Sequence, residues 1–266
     1  TIVSVATCKD SRAMAVLDLQ NFGGGTTGSS TPGEGGPGDT NHPGIGAFAY
    51  AILSGGTMDW SGSGTLDAGG GKFHSNGKYN MTGSKFVNAN VSSSVSVKLV
   101  GSTEIVGDAN APSISVAGTA DVTGTETEDA VPAVTIPDID LTPYYNEAVK
   151  NGTVVSGSPY HVGGAADYVI PGGILWVTGS FKWSGSGKIV GSVIATGDID
   201  WSGSGDQIKY GDYPAFISRD GDISYTGSGD THGLIYAKTG GYDRSGSGAH
   251  LGQIIANGAF DACGSW

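Results

Sequence analysis

Trp183-Ser184-Gly185-Ser186-Gly187, Trp201-Ser202-Gly203-Ser204-Gly205, Tyr225-Thr226-Gly227-Ser228-Gly229 and Arg244-Ser245-Gly246-Ser247-Gly248 are four copies of one unit, which also stands far upstream as Trp60-Ser61-Gly62-Ser63-Gly64. From Trp183 onward the copies are 18, 24 and 19 residues apart. Short apolar runs precede them: Ile174-Leu175-Trp176-Val177, Val193-Ile194-Ala195, Ala215-Phe216-Ile217 and Leu234-Ile235-Tyr236-Ala237, with Ile254-Ile255-Ala256 opening a further unit. A repeat therefore reads strand, glycine turn, strand, Ser-Gly-Ser-Gly corner. This period is too short for a propeller blade, and the unit lacks the Leu-Asn pattern of leucine-rich repeats. It fits one level of a β-solenoid, in which short strands pair with their equivalents above and below at about 4.8 Å. The 48 glycines among 266 residues find their use there, at corners that need backbone conformations a side chain would oppose.

The front half repeats the plan in worn form. Phe48-Ala49-Tyr50-Ala51-Ile52-Leu53 leads to Trp60, Lys72-Phe73-His74-Ser75 leads through Tyr79 to Gly83-Ser84, and Val95-Ser96-Val97-Lys98-Leu99 leads to Gly101-Ser102. The sequence thus predicts an all-β chain with a solenoid of about eight rungs over residues 46–266. A single short helix interrupts it at 137–150, with Asp138 or Asp140 as its cap and Tyr144, Tyr145, Ala148 and Val149 at helical spacing. That helix is expected either as a strut across the side of the stack or as a hinge between two lobes. Residues 1–22 read as a β-hairpin, with Cys8-Lys9-Asp10-Ser11-Arg12 as its polar turn, and 23–45 as a Gly-rich linker. A two-stranded hairpin is marginal alone, so Ile2, Val3, Val5, Met14, Val16, Leu17 and Leu19 are candidate docking residues for another sheet.

Charge and composition narrow the function. Against 25 Asp and Glu stand 13 Lys and Arg, for a net charge of -12, so a phosphate backbone would be repelled and nucleic acid is not an expected partner. The apolar runs are far shorter than the roughly 20 residues a membrane helix needs. The chain begins at Thr1 with no leader pattern, which predicts a processed chain or one cut from a longer precursor. Cys8 and Cys263, near opposite ends, are a candidate disulfide suited to an extracellular setting, with two unrelated thiols as the alternative.

Catalytic signatures are thin. Alignment of the rungs sets Asp59, Asp200 and Asp243 in one column with Lys182 and Ser224, and Asp198 with Asp222 in another. Stacked acids could bind a cation or perform acid-base work on a glycan, but acids beside glycine corners are usually solvated. The histidines, His42, His74, His161, His232 and His250, have no ligand spacing with one another or with cysteine, so no metal or other cofactor is expected. No serine stands in a nucleophile elbow. The aromatic column Trp60, Trp183, Trp201 and Tyr225, continued by Arg244, is the sharpest feature. Period-two alternation from Phe181, Ile199 and Ile223 puts it inside the coil, whereas Arg244 favours an exposed ladder able to meet glycan or another subunit.

The stretches Gly191 to Asp200, Tyr213-Pro214-Ala215-Phe216-Ile217, Gly221-Asp222-Ile223 and Gly233-Leu234-Ile235-Tyr236-Ala237, with the corners between them, resemble the β-solenoid region of bacterial type IV pilin-like pilus-assembly surface proteins. Pro137-Asp138-Ile139-Asp140 before Tyr144-Tyr145-Asn146-Glu147-Ala148 is similar to their mid-chain helix, and residues 1–19 to the last hairpin of their small pilin-like domain. The resemblance implies a non-enzymatic structural subunit of an extracellular, cell-surface filament. It departs from the family at the front, where the anchoring hydrophobic helix is missing; that helix was removed or is supplied by a separate short pilin chain, which would be the partner alongside copies of this chain. The competing expectation is a secreted solenoid that binds or cleaves surface glycans through the aromatic column and the Asp59, Asp200, Asp243 face.

Overall fold

The computed structural model of the chain describes residues 50–265 and the short strand Met14–Val16. They form one parallel β-solenoid with three faces per turn and the helix Thr142–Lys150. On the first face the strands Val154–Val162, Tyr168–Trp183, Ile189–Ala195, Phe216–Ser218, Ile235–Ala237, Ile254–Ala256, Tyr50–Ser54, Met58–Ser75, Lys78–Ser93, Ala109–Asn110 and Glu126–Thr127 pair in that order, eleven levels rather than eight. Levels without a Ser-Gly-Ser-Gly corner, at 153–169 and 119–127, are the ones whose letters do not mark the repeat.

The order of levels is not the order of the sequence. The last turn, with Ile254–Ala256 and Phe260–Ser265, lies directly beneath the first, Ile254 beside Ile52 and Ala262 beside Trp60. The second half of the chain is therefore the lower half of the stack. Residues 128–150 make the return journey, about 50 Å at about 4.8 Å per level. They descend along the first face: Asn76 exchanges two hydrogen bonds with the Val134 backbone (2.8 and 2.7 Å), the Tyr236 hydroxyl donates to Pro137 O (2.7 Å), and Lys238 pairs with Asp138 (2.6 Å). At the bottom Tyr144 and Ala148 of the helix are buried among Ile174, Trp176 and Tyr213. The helix is thus a strut, as one expectation had it, though it begins at Thr142 and not at 137. Asp140 accepts the Thr142 N–H (2.9 Å), and 137–141 lie ahead of the helix, where Pro137 O meets Tyr236 and Asp138 meets Lys238.

This strap explains why the first-face strands read as unbroken apolar runs. Leu175, Val193, Phe216 and Ile235 point into the coil, while Ile174, Ile194, Ile217 and Tyr236 point out beneath the strap, so both sides are dry. The second face alternates, with Phe181 and Trp183 inward about the outward Lys182. The corner after it admits only glycine at one column: Gly83 has φ of 102°, and a Cβ there would lie 2.1 Å from Gly62 O.

The third face takes in a strand from the start of the chain. The strand Met14–Val16 pairs in parallel with Thr65–Asp67 of its own chain and adjoins His250–Leu251. It supplies the third side of the level whose other two sides are 254–265. The strand holding the candidate docking residues Met14 and Val16 thus pairs along its own solenoid. The other candidate docking residues, Ile2, Val3, Val5, Leu17 and Leu19, the expected hairpin turn and the linker lie outside the described residues, as does Cys8. Cys263 is exposed with a free thiol, and the candidate disulfide involves Cys8, outside the described residues.

Candidate functional site

The Ser-Gly-Ser-Gly corners stack into a shallow groove of about 740 Å³. Two rows of hydroxyls border it, Ser184, Ser202, Thr226 and Ser245 in one and Ser186, Ser204, Ser228 and Ser247 in the other, with buried glycine backbone between. Alternation puts the serines out and the glycines in. Hydroxyls of the first row turn back onto the level below: Ser202 donates to Trp183 O (3.1 Å) and Thr226 to Trp201 O (3.4 Å). His161 meets the Ser184 hydroxyl at 2.6 Å, the one place where a base touches a hydroxyl of the groove among the described residues. No carboxylate there hydrogen-bonds to His161 to orient it, so the pair lacks the third member that an activated nucleophile requires.

Beneath the corners runs the aromatic column, and it is internal. Trp60, Trp183, Trp201, Tyr225 and Arg244 are all 1% exposed or less. Trp183 and Trp201 lie 5.3 Å apart, Trp201 stacks on Tyr225 at 6.0 Å and 11°, and Phe216 meets Trp201 from the first face at 5.1 Å. The argument from Arg244 to an exposed ladder fails for a specific reason. Its guanidinium stacks on Tyr225 at 4.6 Å, reaches Tyr242 Oη at 3.4 Å and donates to Gly248 O, while Ala262 in the next level leaves it room. No ligand can reach this column without unfolding the coil.

A second buried cation, not foreseen, is Lys85. It occupies the corner column where Gly64 stands one level below, and its ammonium reaches Gly264 O (3.3 Å) and Ser63 O (3.5 Å) near Trp60. Burial drags its pKa down to about 8, with Arg244 adding to the fall and Cys263 opposing it. The unfolded chain, with its lysine at the usual 10.5, then binds more protons above pH 8, so stability should rise with pH from about 8 until the tyrosines of the unfolded chain ionise near 10. We expect Lys85→Met to abolish that rise and to add roughly 1–3 kcal/mol at pH 7, read from urea melts across the pH range. A flat wild-type profile between pH 8 and 10 would contradict this.

The outward acids fall into two groups. The alignment of Asp59, Asp200 and Asp243 in one column is correct, but Asp261 stands between Asp243 and Asp59, while Asp200 is two levels from Asp243 with Ser224 between them. Asp261 was missed because Ala262-Cys263-Gly264-Ser265 is a corner unit with Ala for Trp and Cys for Ser. Partial burial, then its neighbours Asp59 and Asp243, raise the Asp261 pKa. Asp200 is paired with Lys182 (2.7 Å), and Asp59 accepts from Asn80 (2.6 Å). The other column is structural: Asp198 accepts the Asp222 N–H (2.9 Å), and Asp222 accepts the Gly241 N–H (2.7 Å), each acid capping the level above. Among the described residues no group of three or more His, Cys, Asp or Glu could hold a metal ion, and no helix is long and apolar enough to cross a membrane. No family model, curated protein or solved structure matches this chain.

Proposed function

We propose that the chain is a structural subunit of an extracellular pilus-like filament, with the solenoid on the filament's exterior. One observation carries the reading: side chains that would make a ligand platform are consumed by the fold. The aromatic column is internal, Asp198 and Asp222 cap backbone, and the corner groove offers hydroxyls over a glycine floor. What remains is a stiff rod of main-chain ladders about 50 Å long, suited to bearing load and resisting proteases. Anchoring falls to a partner pilin chain. Since Met14–Val16 is engaged in its own solenoid, contact with that partner would be made by residues on either side of the strand.

The test is electron microscopy with intact-mass analysis of native cell-surface material. Filaments containing this chain with a second, short hydrophobic chain are the expected result. The chain recovered only as a secreted soluble protein, with filaments lacking it, would sink the reading. The glycan alternative is separated by a glycan array in which Asp200→Ala, on the exposed face, would have to abolish binding.

A further inference from the structure

Three polar side chains stand one above another inside the coil, where the chain leaves the corner groove for the third face. Gln207, Thr231 and His250 occupy one inward column on successive levels, above Ile189. Gln207 and Thr231 are fully buried, and His250 is 4% exposed. Packing alone does not call for them: Ile189 fills the same position one level below, and polar groups in a closed interior cost stability unless they are paired. Their pairing is specific. The Thr231 hydroxyl lies 2.8 Å from His250 Nδ1. The Gln207 carboxamide is held at both ends, its Oε1 accepting the His232 backbone N–H (2.8 Å) and its Nε2 donating to Gly191 O (2.9 Å). Oε1 is thus fixed at the peptide that joins Thr231 to His232, on the strand that carries the hydroxyl.

The parts of an acyl transfer are therefore present: a nucleophile touching a base, and a carbonyl whose oxygen rests on an N–H donor. Burial first and Arg244 second push the His250 pKa down to about 3, against the pull of the Gln253 and Thr231 backbones, so the imidazole is neutral and able to take a proton. Reactants held side by side in this way can gain effective molarities of about 10⁵ M or more. The closed interior also keeps out water, the usual competitor for an acyl group.

We propose that Thr231 and Gln207 become joined by an ester bond that the chain forms itself, with His250 as the base. In the ring tautomer protonated at Nε2, Nδ1 takes the Thr231 hydroxyl proton as Oγ1 attacks Gln207 Cδ, and the carbonyl electron pair moves onto Oε1 against the His232 N–H. As the carbonyl re-forms, the Cδ–Nε2 bond breaks, the imidazolium returns its proton to Nε2, and ammonia leaves. No oxidant or second substrate is consumed. The product staples two adjacent levels through their side chains, where the ladder alone would part under load. It goes beyond the structural-subunit reading and does not depend on it.

Intact-mass analysis of the full chain, purified and held at pH 8, tests the staple. The wild type should fall below its sequence mass by one ammonia, about 17 Da. Trypsin should then release residues 189–209 and 220–238 as one joined species, which hydroxylamine separates. Thr231→Val keeps the shape without the hydroxyl and should retain its full mass, and His250→Phe should slow the joining about tenfold or more. Circular dichroism checks that each variant is folded; should either fail to fold, the wild-type peptide map decides alone. A wild type of full mass, an ammonia loss without the joined peptides, or a folded His250→Phe chain that joins them at the wild-type rate overturns the proposal.

Discussion

Gly246→Ala should cost roughly 3–5 kcal/mol of stability, a large share of what a folded domain has to lose. A Cβ on Gly246 would lie 1.6 Å from Gly227 O, the same corner one level below. Overpacked cores typically lose about 1–3 kcal/mol because flexible side chains give way. Here the obstacle is backbone, held in register by Asp243 beside Ser224 and Arg244 beside Tyr225, so the ladder itself must part. Ser247→Ala, the exposed neighbour, should change stability by less than about 0.5 kcal/mol. Urea denaturation of the pair checks the contrast, and equal losses would mean that the corner is not built as described.

Trp201→Ala should be as severe, about 3–5 kcal/mol, since it empties the centre of a stack with Trp183, Tyr225 and Phe216 all within 6.0 Å. Chemical melts should show the loss, and tryptophan emission should shift red as water enters beside Trp183. A variant of undiminished stability that had lost a carbohydrate ligand would instead put the ring on the surface and revive the glycan reading.

Both expectations depend on features of unequal legibility. The five corner units were visible because a β-level has no freedom in its corner: glycine must stand where the carbonyl below leaves no space, and the letters repeat. The alignment of Asp198 with Asp222 and of Asp59 with Asp243 followed from the same spacing. Three things did not follow. The order of levels was hidden, because one parallel strand pairs with another of similar pattern whatever its place in the chain, and nothing local marks Ile254 as the neighbour of Ile52. The interior place of Arg244 depends on Ala262 and Tyr225 in adjacent levels, a three-dimensional vacancy with no one-dimensional sign. Lys85 lies inside because Gly64 leaves room one level below. By contrast, the strap had a signature that went unread: runs such as Leu234-Ile235-Tyr236-Ala237 do not alternate, and a solenoid face that fails to alternate must be covered on its outside.

The return of the chain beneath its own beginning has a consequence for how the molecule is made. Ser54 donates a hydrogen bond to Gly258 O, 204 positions later. A ribosome delivers the upper levels first, and their lower edge at Tyr50–Ser54 waits uncovered until the turn at 254–265 emerges. At about 5–20 residues per second that interval is roughly 10–40 s. For that long the nascent chain carries an unpaired strand edge on its upper half, a template on which sister chains can pair.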